Sequence, residues 1–166
     1  MTAGGRRRLL YAVPVAAACL AADQAAKALV RAGMPACHQY PIVSCVRAEL
    51  GPIPLVRMGN SGTGYLALRD PAVAVALGLL GVLLVGAYAA WLRRVSWLAV
   101  LGIGMQAGGA LSNLLDRLVA GEVTDYVNVS PTFTFNLADV FLLAGMVLAV
   151  AGIAISLAAP EQRPAA

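Results

Sequence analysis

Three long stretches without a charged residue constrain what this chain can fold into. They cover residues 71–92, 95–115 and 140–160, and each reaches the roughly 20 residues that a helix needs to cross the hydrocarbon core of a bilayer. A composition of 60% hydrophobic and 12% charged residues is too apolar for an ordinary soluble domain of this size. We therefore predict an integral membrane protein.

A fourth apolar stretch, residues 9–30, contains Asp23 and Lys27 near its far end. Three arginines at 6–8 precede it, so a cleaved signal peptide is the alternative to a membrane span. Asp23 and Lys27 lie four residues apart with the acid first, which is the favourable order for an ion pair on one helix face. This spacing favours a helix that is retained.

The arginines predict the orientation, because short cytoplasmic loops carry the excess of basic residues. Residues 6–8, Arg93, Arg94 and Arg163 share one side of the membrane if the chain crosses it four times. We predict an all-α integral membrane protein of four transmembrane helices with both termini cytoplasmic. The predicted spans are residues 9–30, 71–92, 95–116 and 139–160, and the outer loops are residues 31–70 and 117–138.

The first outer loop is broken by prolines into short pieces. The segments YPIVSCV at 40–46 and GPIPLVRM at 51–58 predict short strands, which adds a small strand-containing extracytoplasmic region to the helical fold. Cys37 and Cys45 both lie in this loop, on the oxidising side of the membrane, so a disulfide between them is possible.

Composition also excludes several classes of function. His38 is the only histidine, so neither a histidine-based metal site nor a Ser/His/Asp triad can be built from this chain. The net charge of +4 is explained by inner-side arginines that contact anionic lipid head groups, and no nucleic acid partner is expected. We expect no metal and no cofactor.

Polar residues cluster toward the outer ends of the predicted helices. Asn113 and Asp116 lie three residues apart at the end of the third span, and Asn136 and Asp139 repeat that spacing at the start of the fourth. Asp125 lies in the short connection between them. An ionisable side chain at the bilayer centre costs roughly 2.5–3.5 kcal/mol on insertion scales, so these residues are expected to face a common interior space.

Two structural alternatives apply to this cluster. Asp116 and Arg117 are adjacent and can form a local ion pair at a helix end. Asn136 and Asp139 can cap the amino terminus of the fourth helix. Capping explains one of the two N-x-x-D steps and leaves the other polar residues unexplained.

Five segments occur in an order that is specific when they are taken together. They are DQAAK at 23–27, NSG at 60–62, GGALSNLLDRL at 108–118, VTDYV at 123–127 and FNLAD at 135–139. The chain resembles bacterial lipoprotein signal peptidase, also called signal peptidase II, an integral-membrane aspartic peptidase. The resemblance covers nearly the whole chain and includes four spans with both termini inside.

The resemblance implies residue roles. Asp125 and Asp139 match the two catalytic aspartates, and the residues that match the family's site-shaping or substrate-positioning groups are Asp23, Lys27, Asn60, Gly62, Asn113, Asp116, Arg117 and Asn136. It also implies a strand-rich cradle and a mobile flap in the first outer loop. The chain departs from the family pattern at Ser112, where glycine is usual, at Thr63 and Gly64, where alanines are common, in a shorter 125–139 segment and in its Cys37/Cys45 pair.

The resemblance further implies the substrate and its location. The substrates are prolipoproteins whose cysteine carries a diacylglyceryl group, cut immediately before that cysteine. The protein is expected in the bacterial cell membrane among its lipids, with the site on the extracytoplasmic side, and as a monomer. A divergent paralogue with a narrower substrate range stays an alternative to the housekeeping enzyme.

Paired carboxylates in a poorly hydrated site share one proton, which supplies one base and one acid for hydrolysis of a peptide bond. Three rival functions remain open. They are a small proton-coupled transporter, a Ser-Lys peptidase that uses Ser61 or Ser112 with Lys27, and a noncatalytic lipoprotein-binding homologue.

Overall fold

The described parts of the long apolar stretches are helical. A computed structural model describes residues 8–37, 45, 48–60, 95–130 and 133–158 and scattered positions between 73 and 87. Three helices are long and apolar enough to cross a membrane by length and composition, namely α1 (Ala12–Gly33), α3 (Trp97–Ala120) and α4 (Leu137–Ala158). The described positions between 73 and 87 are also helical and are labelled α2.

The predicted spans 9–30, 95–116 and 139–160 overlap α1, α3 and α4. Most of the predicted span 71–92 lies outside the described residues. The described part of the chain is thus a helical membrane protein with four helices and a small antiparallel sheet.

The ends of α3 are defined by local capping. Ser96 begins the helix, and its Oγ accepts a hydrogen bond from the Ala99 N–H at 3.2 Å. Gly121 ends it in the left-handed region with φ 76°, where a residue without Cβ is favoured. The helix therefore continues past the predicted boundary at residue 116 and includes Arg117 in its last turn.

Small residues let α3 pack closely against both α1 and α4. A Cβ atom at Gly108 would lie 2.5 Å from the Ala16 carbonyl oxygen on α1, and one at Gly109 would lie 2.6 Å from the Ala138 carbonyl oxygen on α4. Close backbone approach of this kind is how membrane helices gain packing contacts. Both glycines belong to the GGALSN segment at 108–113.

Four strands form one antiparallel sheet in the order β1-β2-β3-β4. The first outer connection contributes β1 (Ala48–Leu50) and β2 (Ile53–Asn60), and the second contributes β3 (Val123–Ser130) and β4 (Phe133–Phe135). The strand predicted in GPIPLVRM is confirmed as β2, whereas YPIVSCV lies mostly outside the described residues. The predicted loop at 117–138 is instead largely regular structure, because β3 pairs with β2.

The Cys37–Cys45 disulfide, left open by the sequence, is formed. Cys37 packs against Val56 and Met58 of β2, and its backbone N–H donates to the Arg57 carbonyl oxygen at 2.7 Å. The bridge therefore lies beside the strand that carries Asn60 at its end.

Candidate active site

Asp125 lies on β3 with its side chain facing two amides. Its Oδ2 accepts a hydrogen bond from Asn60 Nδ2 at 2.9 Å, and its Oδ1 accepts one from Asn136 Nδ2 at 2.7 Å. β2 and β3 position this contact, because Met58 pairs with Asp125 and Asn60 pairs with Val123. Asp125 is 2% exposed, so both carboxylate oxygens are held by neutral donors in a nearly dry environment.

Asp139 lies in the first turn of α4 and forms a capping box with Asn136. Asn136 Oδ1 accepts the Asp139 N–H at 3.0 Å, and Asp139 Oδ2 accepts the Asn136 N–H at 3.1 Å. The capping alternative is therefore confirmed. Capping uses only one carboxylate oxygen of Asp139. The other, Oδ1, accepts a hydrogen bond from Asn113 Nδ2 at 3.0 Å.

The two asparagines join the two carboxylates. Asn136 Nδ2, which donates to Asp125, also lies 3.2 Å from Asn113 Oδ1, and Asn113 Nδ2 donates to Asp139. Each asparagine therefore donates a hydrogen bond to one of the two carboxylates. One continuous network runs from β2 through β3 and α4 to α3.

Burial raises the pKa of Asp125 to about 7, and the negative charge of Asp139 adds to the increase. The hydrogen bonds from Asn60 and Asn136 act in the opposite direction, because they stabilise the ionised form. A carboxyl group with this pKa holds a proton over part of the neutral range. That property suits a group that must donate a proton during a reaction.

A buried lysine lies next to this network. Lys27 Nζ contacts Asp23 Oδ2 at 2.7 Å, Asp116 Oδ2 at 2.9 Å and Asn113 Oδ1 at 2.8 Å, and the Lys27 side chain is 0% exposed. The predicted ion pair of Asp23 and Lys27 is confirmed. Three acceptors match the three N–H donors of an ammonium group, so this geometry disfavours Lys27 as the base of a Ser-Lys peptidase.

Asp116 connects α3 to α1 and to β3. Its Oδ1 accepts hydrogen bonds from Arg31 Nη2 at 2.8 Å and Gln24 Nε2 at 2.9 Å, and its Oδ2 accepts the Thr124 N–H at 3.2 Å. Its cationic partners are Lys27 and Arg31. Because both of its oxygens accept hydrogen bonds, the Asp116 carboxylate holds α1, α3 and β3 together. Thr124, which it binds, immediately precedes Asp125 on β3.

Arg117 follows Asp116 on α3 and hydrogen-bonds within its own helix. Its Nη1 donates to the Asn113 carbonyl oxygen of the same helix at 3.3 Å. The structure thus assigns Arg117 to the turn of α3 that carries Asn113.

Sequence reasoning missed several residues that hold the site. Arg31 follows Lys27 by four residues on the same helix face, so helical periodicity was a signal for it. Gln24 and Tyr126 gave no such signal, and Ser112 was named only as a departure from the family pattern and as a candidate of the Ser-Lys alternative. The Tyr126 hydroxyl oxygen accepts the Leu137 N–H at 3.2 Å, at the start of α4, and burial, followed by the charge of Asp23, raises the pKa of Tyr126 to about 12.

Several residues named from the sequence lie outside the described residues, namely the arginines at 6 and 7, His38, Ser61, Gly62, Thr63, Gly64, Arg93, Arg94 and Arg163. Within the described ranges, no group of three or more His, Cys, Asp or Glu side chains is placed to hold a metal ion. What the described site offers is a pair of carboxylates, neutral amide donors and a buried cation.

Comparison with known proteins decides the family. The family model for signal peptidase (SPase) II matches residues 15–155. The chain belongs to the signal peptidase II family. A lipoprotein signal peptidase of Methylobacterium sp. (strain 4-46) is 34% identical, covering 95% of this chain and 94% of that protein, and one of Sinorhizobium fredii (strain NBRC 101917 / NGR234) is 36% identical over 76% of this chain and 75% of its own.

A solved structure shares the fold. A bacterial membrane enzyme determined by the in meso method at 2.3 Å resolution superposes with a TM-score of 0.71 at 16% identity, over 93% of this chain and 94% of the other. Signal peptidase II proteins are membrane-bound aspartic peptidases that process prolipoproteins. Membership therefore favours peptide hydrolysis over the transporter considered from the sequence.

Proposed function

We propose that Asp125 and Asp139 are the catalytic pair of an aspartic endopeptidase that removes the signal peptide from diacylglyceryl-modified prolipoproteins, cutting before the lipidated cysteine. The observation that carries this proposal is the position of Asn136, which donates to Asp125 from its side chain and to Asp139 from its backbone. It connects two carboxylates from different elements, the buried Asp125 and the half-buried Asp139, in one hydrogen-bond network.

The chemistry follows from one shared proton. The ionised carboxylate removes a proton from water as the water oxygen attacks the scissile carbonyl carbon, while the protonated carboxyl donates its proton to the carbonyl oxygen. Collapse of the tetrahedral intermediate breaks the C–N bond, and the leaving nitrogen takes up a proton from the pair. Two coupled carboxylates titrate as a unit, so the roles belong to the pair.

The other family-matched residues support this pair. Asn60, Asn113 and Asn136 orient the carboxylates with neutral amides, which fix geometry without adding charge. Asp23, Lys27 and Asp116 form the buried ionic support beneath them. We extend the proposal to two further residues, with Arg117 holding the end of α3 and Gly62 positioning substrate.

The membrane placement belongs to the same proposal. Four spans with both termini cytoplasmic put the aspartates at the extracytoplasmic surface of the bacterial cell membrane, where the cleavage site of a prolipoprotein lies. Such a substrate arrives oriented by its own lipid and signal helix, so a monomer surrounded by lipid needs little additional binding energy to align the peptide.

The test is cleavage of a diacylglyceryl-modified precursor by the purified protein in lipid, followed by mass spectrometry. Asp125→Asn and Asp139→Asn should each abolish the product cut before the lipidated cysteine, because either change removes one member of the pair. Glu49→Gln, at an exposed carboxylate on β1 of the same sheet, is the matched control and should cleave at the native rate.

Cleavage at the native rate by either aspartate variant would make that aspartate structural and remove the proposed pair. An inactive native protein that still binds the lipidated precursor would instead identify a noncatalytic lipoprotein-binding homologue. Cleavage that is retained in Lys27→Met would exclude a Ser-Lys mechanism, because that mechanism requires the Lys27 amine.

A further inference from the structure

Asp23 is a junction of three helices. Its Oδ1 accepts the backbone N–H of Ala138 on α4 at 2.9 Å, and its Oδ2 accepts the hydroxyl of Ser112 on α3 at 2.7 Å. Lys27, on its own helix, contacts the same Oδ2 at 2.7 Å. Asp23, Ser112 and Ala138 are each 0% exposed, so no solvent competes for these hydrogen bonds.

Gln24 determines which way the Ser112 hydroxyl points. Gln24 Nε2 donates to Ser112 Oγ at 2.9 Å, to the Ser112 carbonyl oxygen at 3.2 Å and to Asp116 Oδ1 at 2.9 Å. A hydroxyl has one hydrogen to donate. Because Gln24 approaches the Ser112 oxygen as a donor, the hydroxyl hydrogen is left to point at Asp23.

This arrangement fixes the helix turn that carries Asp139. The first backbone N–H groups of a helix have no partner within the helix, and Asp23 supplies one for Ala138, the residue immediately before Asp139. Ala138 is held from another direction as well, because its carbonyl oxygen lies close to Gly109 of α3. Rotation of Asp23 would release the Ala138 N–H and loosen the first turn of α4.

We propose that Ser112 and Gln24 are positioning residues for the aspartate pair, because they lock the Asp23 carboxylate against the Ala138 N–H and so fix the first turn of α4. This inference rests on the proposed function for its catalytic consequence.

Neither residue carries a charge, which separates positioning from electrostatics. Ser112→Ala leaves the Asp23–Lys27 ion pair in place and removes one donor from Asp23. Gln24→Leu changes no residue of α3 and removes the donor that directs the hydroxyl, together with the Gln24 hydrogen bond to Asp116 Oδ1. Small displacements of a reacting group cost rate rather than substrate affinity, so each variant should lower kcat by about 10-fold with KM within about 2-fold of native.

The matched control is Ser156→Ala. Ser156 Oγ donates to the Gly152 carbonyl oxygen at 2.7 Å and accepts the Ser96 N–H at 3.0 Å. Like Ser112, Ser156 uses its hydroxyl to join two helices, but it joins α4 to the start of α3, at the opposite end of both helices from Ser112. Its removal should leave kcat and the start of α4 unchanged.

The experiment measures kcat, KM and amide hydrogen exchange in the full-length protein in lipid, for Ser112→Ala, Gln24→Leu, the double variant and Ser156→Ala. We expect faster exchange at Ala138 and Asp139 in the two single variants and in the double variant, and native exchange in Ser156→Ala. The double variant should lose no more activity than the worse single variant, because both changes break one chain of contacts.

Unchanged kcat together with unchanged exchange at Ala138 would overturn the inference, and so would a lowered melting temperature with native kcat. If the native protein does not cleave lipidated precursors, the proposed function fails, and the exchange at Ala138 still decides whether Ser112 and Gln24 fix α4. If Ser112→Ala does not fold, Gln24→Leu decides the inference by the same criteria.

Discussion

Asn136 and Asp139 cap each other at the start of α4, since the side-chain oxygen of each accepts the backbone N–H of the other. The same Asn136 side chain donates to Asp125 across 2.7 Å. The same residues therefore form the helix cap and part of the candidate catalytic network. Substitutions at this turn are therefore expected to affect stability and activity together.

The rate of cleavage should fall as the pH rises through about 7. The pKa of Asp125 is raised to about 7, so its proton is bound below that pH and is lost above it, and the pair then lacks the acid that protonates the carbonyl oxygen. The measurement is kcat/KM from pH about 5 to about 9 in lipid. A rate that stays constant across neutral pH would contradict an acid at Asp125.

Asn60→Ala should move the fall in cleavage rate, the basic limb of the pH profile, to higher pH. The hydrogen bond from Asn60 lowers the pKa of Asp125 by stabilising the ionised form, so its loss raises that pKa further. Loss of an orienting donor should also reduce the maximal rate by about 10-fold. Asn128→Ala is the control, because the Asn128 amide nitrogen on β3 has no hydrogen-bond partner among the described residues. If the rate falls at the same pH in both variants, the prediction is wrong.

Lys27→Met should destabilise the protein far more than Arg31→Gln. Lys27 is fully buried between Asp23 and Asp116, and breaking a buried ion pair from one side costs about 3–5 kcal/mol. Arg31 is 31% exposed and leaves Asp116 paired with Lys27, so its loss should cost about 1 kcal/mol or less. The free energy of unfolding by denaturant in detergent measures both; equal losses would show that the Lys27 network is not the buried support.

Gly109→Ala should lower both stability and kcat, whereas Gly152→Ala should lower stability alone. Each substitution adds a Cβ atom at the α3–α4 contact, 2.6 Å from the Ala138 carbonyl oxygen at Gly109 and 2.7 Å from the Ala99 Cα at Gly152. Overpacking of this kind costs about 1–3 kcal/mol. Only Gly109 faces the turn that precedes Asp139. Thermal unfolding and kcat of the folded fraction separate the two effects, and native kcat in Gly109→Ala would refute the link.

Features with a short sequence range were predictable from the chain itself. Uncharged runs of bilayer length predicted the membrane class, and an i, i+4 spacing predicted the Asp23–Lys27 ion pair, because helical periodicity alone brings those side chains together. The capping of α4 by Asn136 and Asp139 was predictable for the same reason. The alternating apolar residues of VTDYVNVS were a signal for β3, although the segment was predicted as a loop. The signal is weakened because Asp125 stands at one of the apolar positions.

The tertiary structure decided which distant residues meet. Asp23 reaches Ser112 across 89 positions and Ala138 across 115, and Asn60 reaches Asp125 across 65. Local periodicity contains no information about such pairs, because they depend on how closely α3 packs on α1 and α4 and on the register of β2 with β3. The sequence by itself determined the membrane class, the local pairs and the family; only the packing of helices and sheet determined that two aspartates share one hydrogen-bond network.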